Sequence, residues 1–252
     1  MIASVQKAVR ILTAVADAPT SPTPLCEIAE RTGICKPTCS HLVSTLVHEG
    51  FLVKISASKG YILGPAAYCL SHDGRYGSDL ISVCRPVMQY LHKALSYSVV
   101  LAVIEGGTKY LIDYIDDGQI FKQKRNIRKD DLYRTATGRA ILGSLPAAEL
   151  AAIWEKQGAP TGNTWPEITS FDQLLAYAAS DKPKTVSTRE KHEDGSVILG
   201  YAQPLKRKEE CVGAIGIAVK LSKEEEKSFL SQKEKNVKEI LSKGAAVISK
   251  RL

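Results

Sequence analysis

The sequence predicts two domains: an N-terminal all-α winged helix-turn-helix domain and a larger C-terminal α+β domain. Three observations predict this. Three short amphipathic segments and a β-prone pair occupy the first 65 residues. Strand-type patterning takes over from Ser98, after a mostly helical stretch. The 252 residues are 44% hydrophobic and 24% charged, enough to bury a core in each of two domains. Boundaries are drawn at 1–65 for the winged domain, 66–80 for a linker helix and 81–252 for the α+β domain.

Val5, Ala8, Val9, Leu12, Val15 and Ala16 follow helical spacing, which predicts a first amphipathic helix over 3–17. The run Ala18-Pro-Thr-Ser-Pro-Thr-Pro24 ends it, because prolines lack the amide a helix needs. A second helix is predicted over Leu25 to Thr32, with Leu25, Ile28 and Ala29 on one face and Gly33 at its C-cap. A third starts at Lys36-Pro37, where a proline in the first turn costs no hydrogen bond. Cys39, Leu42, Val43, Leu46 and Val47 give it a buried stripe, and Gly50 ends it. Phe51 to Ile55 and Tyr61 to Leu63, around a Ser-Ala-Ser-Lys-Gly turn, predict a hairpin.

Residues 66–97 read as mostly helical, with a break at Asp73-Gly74 and a new helix or kink at Pro86. Val99 to Ile104 and Tyr110 to Ile115 then read as strands, separated by Gly106-Gly107. A basic strand or loop is expected over Lys122 to Arg134. Helices are expected near 138–145, 147–157 and 171–180, strands over Val197–Leu205 and Val212–Val219, and one long charged helix from Lys223. Strands flanked by helices in one unit suggest α+β.

Composition narrows the function classes. No run approaches the ~18 apolar residues that a bilayer span needs, and the first residues lack a signal-peptide pattern. A cytoplasmic location is expected. The six cysteines, Cys26, Cys35, Cys39, Cys69, Cys84 and Cys211, are then expected as free thiols. Net charge is +7, but residues 1–75 hold seven Lys/Arg against five Asp/Glu, leaving only +2. Binding to a polyanion must therefore be argued from motif geometry, not from bulk charge.

Helix, tight turn at Gly33, helix, then hairpin is the spacing of a winged helix-turn-helix. Such a motif turns the N-terminal residues of its second helix toward base edges in the major groove. Here those are Lys36, Thr38, Ser40 and His41, with Ser44 one turn on. All are polar and none belongs to the buried stripe. Lys36 suits a phosphate or a guanine edge, and Lys54 and Lys59 in the wing suit the flanking backbone. Two alternatives stay open at this point: a helical subdomain whose polar face is merely solvated, and a winged module that binds protein.

Ser4-Val-Gln-Lys-Ala-Val-Arg-Ile-Leu12, Leu25-Cys-Glu-Ile-Ala29, Gly33-Ile-Cys-Lys-Pro-Thr38, His41-Leu-Val-Ser-Thr-Leu46, Gly50 and Tyr61-Ile-Leu-Gly64 resemble the DNA-binding domain of the IclR family of bacterial transcriptional regulators. Arg85-Pro-Val-Met-Gln-Tyr-Leu91, Thr135-Ala-Thr-Gly-Arg-Ala-Ile-Leu142 and Gly213-Ala-Ile-Gly-Ile217 extend the resemblance over nearly the whole chain. It implies a homodimer or homotetramer on double-stranded operator DNA, a GAF-like effector domain for an organic acid or aromatic metabolite, no cofactor and no enzymatic activity. It leaves repression or activation open. Three departures stand out: Lys36-Pro37-Thr38 with His41 in the recognition helix, Arg139 in place of a lysine, and the stretch Val186 to Gly195.

The resemblance also implies an effector site. Its carboxylate would meet the backbone amides of Ala136 and Thr137, entering the helix at Gly138, with Thr135 and Thr137 hydroxyls beside them. The other lining positions carried over are Arg189, Leu199, Gly216 and Ala218. Small or apolar residues at the last three imply a roomier, less polar pocket, with Arg189 as counter-ion.

Other constellations are weaker. Cys35, Cys39 and His41, with Cys26 and His48 nearby, match no zinc-finger spacing. His192-Glu193-Asp194 has no nucleophile motif beside it and reads as a polar turn ending at Gly195. Lys122-Gln-Lys-Arg125 with Arg128 and Lys129 is read as a solvated face, partly balanced by Asp130 and Asp131.

Overall fold

A computed structural model of the protein describes residues 1–18, 21–56, 58–73, 78–116, 118, 120, 131–162, 164–180 and 185–252. The chain divides into two compact units, Met1–Tyr76 and Gly77–Leu252.

The first unit is built from α1 (Ala3–Ala16), α2 (Leu25–Thr32), α3 (Lys36–His48), a hairpin of β1 (Leu52–Ser56) and β2 (Gly60–Leu63), and α4 (Pro65–Asp73). Ile11 and Val15, Ile28 and Ala29, and Cys39, Val43 and Leu46 are the buried faces of the three helices, closed below by Leu52. Gly33 turns the chain between α2 and α3 at φ +66°, in the left-handed region, and its amide reaches the carbonyls of Ala29 and Glu30. The hairpin pairs Leu52 with Leu63 and Lys54 with Tyr61. The proline-rich segment does not merely end α1; Thr23 exchanges backbone hydrogen bonds with Tyr61 at 2.8 and 2.9 Å, adding a third short rung to the wing. Gly60 is required there, because a Cβ would enter the Thr23 carbonyl.

The second unit is a five-stranded antiparallel sheet in the order β4-β3-β7-β6-β5. Its strands are β3 (Ser98–Glu105), β4 (Thr108–Ile115), β5 (Val186–Lys191), β6 (Val197–Arg207) and β7 (Glu210–Leu221). The helices are α5 (Ser78–Leu95), α6 (Asp131–Arg134), α7 (Ala136–Leu142), α8 (Ala147–Gln157), α9 (Phe171–Ala179), α10 (Lys223–Gln232) and α11 (Glu234–Arg251). Strand alternation gives the sheet two faces. Leu101, Leu199, Tyr201, Ile215 and Ile217 point toward α5 and α11, forming the main core with Met88, Leu91 and Leu241. Ala202 and Ala214 point the other way and receive Ala136, Ala140 and Ile141 of α7. A satellite core under α6, α8 and α9 gathers Leu132, Leu142, Leu150, Trp165 and Leu174.

Several expectations are revised. Pro86 does not start a new helix but lies inside α5. Gly74 of the expected break and the basic cluster 122–130 lie outside the described residues. Val186–Lys191, read as a divergent polar stretch, is an edge strand with alternating exposure. The C-terminal helix is two helices, separated at Lys233. Among the described residues no helix is long and apolar enough to cross a membrane.

Candidate functional site

The polar face of α3 is the first candidate. Cys39, Val43 and Leu46 are buried, while Lys36, His41 and Ser44 are exposed and Thr38 and Ser40 half-buried on the outer side. Lys54 on β1 and Lys59 in the turn are exposed on the wing. No side-chain oxygen caps α3, since Cys35 stands at the N-cap; Pro37 has no amide hydrogen and the Thr38 amide is taken by the Cys35 sulfur. Two residues on this surface were missed from sequence. Exposed Thr45 lies beside His41, to whose carbonyl its hydroxyl donates at 3.1 Å. The exposed Cys35 thiol donates to the Thr38 hydroxyl at 3.1 Å, and the Thr38 hydroxyl and amide hold that thiol below its ordinary pKa. Cys35, Cys39 and His41 do not converge. Cys39 is buried and His41 exposed, and among the described residues no group of three His, Cys, Asp or Glu could hold a metal ion.

The second candidate surrounds the start of α7. Thr135 is its N-cap; the hydroxyl accepts from the Gly138 amide at 3.3 Å and lies 3.4 Å from the Thr137 hydroxyl. The amides of Ala136 and Thr137 are not hydrogen-bonded among the described residues. A side chain at Gly138 would enter the Leu132 carbonyl, so the approach of α6 to α7 needs glycine. Sequence reasoning missed Lys109. This lysine on β4 is only 7% exposed and donates to the Thr135 hydroxyl at 2.9 Å. A cation buried at this depth needs fixed polar partners. Its register opposite Ile104, which packs against α7's cluster, is the signal that places it on the α7 face.

The structure divides the other expected lining residues. Cross-strand partners share a face: Gly200 pairs with Ala218, and Ala202 with Gly216. Gly216 and Ala218 therefore lie on the α7 face with Thr135, Ala136, Thr137 and Gly138. Arg189 pairs with Leu199, and both point to the opposite face. Two parts of the expectation change. Arg189 is engaged, donating to both carboxylate oxygens of Glu226 on α10 at 2.5 and 2.9 Å. Nor does Gly216 widen a pocket, because a Cβ there would stand 2.7 Å from the Thr137 methyl. Its missing side chain admits α7.

A cavity of about 340 Å³ opens at the β5 edge, lined by Arg139, Glu167, Arg189, Leu199, Tyr201 and Glu226 among others. Several of its polar groups are committed, Arg189 to Glu226 among them. The Tyr201 hydroxyl donates to Glu234 at 3.2 Å, and burial together with nearby carboxylates pushes its pKa up. Arg139 donates to the carbonyls of Tyr133 and Thr164 at 2.7 and 2.5 Å, and its guanidinium lies 4.5 Å above the Trp165 ring. It staples α7 to the loop before α9. The segment His192 to Gly195 is a turn between β5 and β6. Asp194 accepts from the Ser196 amide and hydroxyl, which hold its carboxyl at about 2.

The chain is similar to known proteins along nearly its whole length. A family model described as "IclR helix-turn-helix domain" matches residues 4–56, and one described as "Bacterial transcriptional regulator IclR C-terminal" matches residues 76–250. HTH-type transcriptional regulator Rv1719 of Mycobacterium tuberculosis is 28% identical over 140 residues, 55% of this chain and 53% of the relative. HTH-type transcriptional regulator TtgV of Pseudomonas putida is 27% identical over 176 residues, 68% of this chain and 65% of the relative. The match thus spans between about half and two thirds of these relatives. An IclR homolog from Microbacterium hydrocarbonoxydans, solved in complex with 4-hydroxybenzoate, shares the fold at TM-score 0.73 and 17% identity, covering 99% of each chain.

Proposed function

The chain belongs to the IclR family of bacterial transcriptional regulators, and from that premise we propose that it is a cytoplasmic regulator that binds a DNA operator and responds to a small organic acid. The observation that carries the reading is the outer face of α3. Lys36, Thr38, Ser40, His41 and Ser44 stand opposite the buried stripe, as groove entry requires. Lys54 and Lys59 extend that face onto the wing and suit phosphates. In this reading residues 1–65 bind DNA, 66–80 connect and 81–252 sense.

A single reader of this low charge grips DNA weakly, so pairing of two copies matters. Val5 and Val9, one turn apart on α1, are 58% and 57% exposed, and Ile2 at its N-cap is 70% exposed. An exposed apolar stripe of this kind supports a homodimer. The effector site is assigned to the α7 face, at Thr135, Ala136, Thr137, Gly138 and Ala218. Lys109 is the fixed cation that favours an acid, and the aromatic acid held by the Microbacterium relative makes aromatic acids the first class to try. Arg189, Leu199 and Gly216 are left out of that site for the reasons of register and packing given above.

Gel shift with DNA from upstream of the gene, repeated with each acid of a metabolite panel, tests both halves. The reading expects a shifted band that a subset of acids alters, and calorimetric binding that Lys109→Met weakens. Binding confined to neutral or cationic compounds refutes the acid assignment. No shift with any upstream DNA refutes the operator assignment.

A further inference from the structure

We propose that the second unit carries its own sequence-independent contact for the DNA backbone, on the tip of the β6–β7 hairpin and the last turn of α11. Lys206, Arg207 and Lys208 occupy the tip, and Lys250 and Arg251 the helix end; all five are exposed. Two observations bring them onto one surface. The Lys206 amide donates to the Ser249 hydroxyl at 3.2 Å, so Lys250 and Arg251 stand within a turn of the hairpin. Leu205 and Ile248, the residues just behind each group, are both fully buried in the main core and fix both supports.

The charge there is largely uncommitted. Lys206 meets Glu209 only at 4.0 Å, and Glu209 is almost fully exposed. Arg207, Lys208, Lys250 and Arg251 make no ion pair among the described residues. Against the five cations stand Glu209, Glu210 and Glu149, the last close enough to Cys211 to add to the upward shift that burial gives its thiol. The surface therefore stays positive. A protein partner would take its affinity from buried apolar anchors. The exposed large apolar side chain nearest in sequence to these cations is Val247. Affinity must come from charge, and a duplex supplies one phosphate per ~1.7 Å of axis.

The need also lies in the sequence. Residues 1–75 carry only +2 of the +7. Phosphate contacts from the second unit would supply the grip that the reader itself lacks. The proposal rests on the DNA-binding reading above and adds a surface to it.

The test is a salt titration of binding by the full-length protein, on operator-bearing and scrambled duplexes. The variant is R207Q/K208Q/K250Q/R251Q, whose four positions are exposed and outside the cores. Each lost phosphate contact flattens the log–log salt slope by ~0.9, so loss of two or more reduces it by ~2 or more. With all four engaged, the wild type loses on the order of 10²-fold more affinity than the variant between 50 and 200 mM salt. The expected result is equal weakening on both duplexes and the reduced slope. An unchanged slope overturns the proposal and leaves the operator reading intact. A wild type that binds no duplex refutes both. Variant-sensitive binding to poly-glutamate, with an unchanged DNA slope, overturns it in favour of an acidic protein partner.

Discussion

Gly216 distinguishes a packing role from a pocket role, and Gly216→Ala measures which it plays. The added methyl would stand 2.7 Å from the Thr137 Cγ2, 3.1 Å from the Tyr201 carbonyl and 3.2 Å from Val100 Cγ2. The first distance is well inside contact, and Thr137 is only 4% exposed on a helix pressed against the sheet. Overpacking of this size costs about 1–3 kcal/mol. Thr137→Ser removes the opposing methyl and by itself costs about 0.8 kcal/mol of burial. If the two methyls oppose each other, Thr137→Ser in the Gly216→Ala background should recover about 1 kcal/mol. The assay is urea unfolding followed by fluorescence. Trp154 and Trp165, the chain's two tryptophans, both sit in the satellite core of the second unit and report on that unit. Additivity of the two changes within about 0.5 kcal/mol would refute the reasoning. So would a Gly216→Ala protein of unchanged stability that binds effector less well, because Gly216 would then be lining a pocket.

Three further outcomes are expected. Arg139→Lys loses one of two carbonyl contacts and the stacking on Trp165; it should destabilise the second unit by about 2 kcal/mol and red-shift the tryptophan emission, and an unchanged midpoint would show the staple to be idle. The Arg189 hydrogen bonds hold Glu226 below the ordinary glutamate value of 4.5. A depressed folded-state value means that the pair's stabilisation is full above pH 4.5 and is lost as the pH falls through the lower value. Arg189→Met should therefore shallow the acid side of a stability–pH curve, and an identical curve would contradict the pairing. Gly33→Ala forces a side chain to φ +66° with open space around it, so the cost is backbone strain of about 1 kcal/mol. Gly33→Asn should cost less, and equal midpoints for wild type and Gly33→Ala would argue against a left-handed cap.

The reader was legible because local chemistry and long-range packing agree there. Gly33 marks the turn, Pro37 opens α3, and the stripe through Cys39, Val43 and Leu46 separates the buried face from the polar one. The Thr23–Tyr61 rung was not legible, since nothing local in Pro22-Thr23-Pro24 announces a partner 38 residues away. Edge strand β5 escaped for a different reason: Ser187, Arg189 and Lys191 face out and are polar, so no apolar alternation marks it. The break at Lys233 lacks both Gly and Pro, whereas the start of α10 is written in Ser222 and Glu225, which form a capping box. The effector positions divided because a family resemblance carries residues over one by one, whereas strand parity decides which way each points. Arg189 and Leu199 keep their places in the chain but lie on the face of the sheet opposite α7. Lys109 was missed because a lysine in a strand reads as solvent-facing until its register is known.

The central claim is that α3 reads DNA with its outer face. Its most direct measurement is the affinity of wild type, Lys36→Ala and Thr38→Ala for duplex from upstream of the gene and for a scrambled control. Both positions lie outside the buried stripe, so folding should be retained. The account predicts a loss of about 1–3 kcal/mol for each change on the upstream duplex, a smaller loss on the control, and a salt slope lower by ~0.9 for Lys36→Ala if it meets phosphate. Unchanged affinity of both variants for the upstream duplex would contradict it.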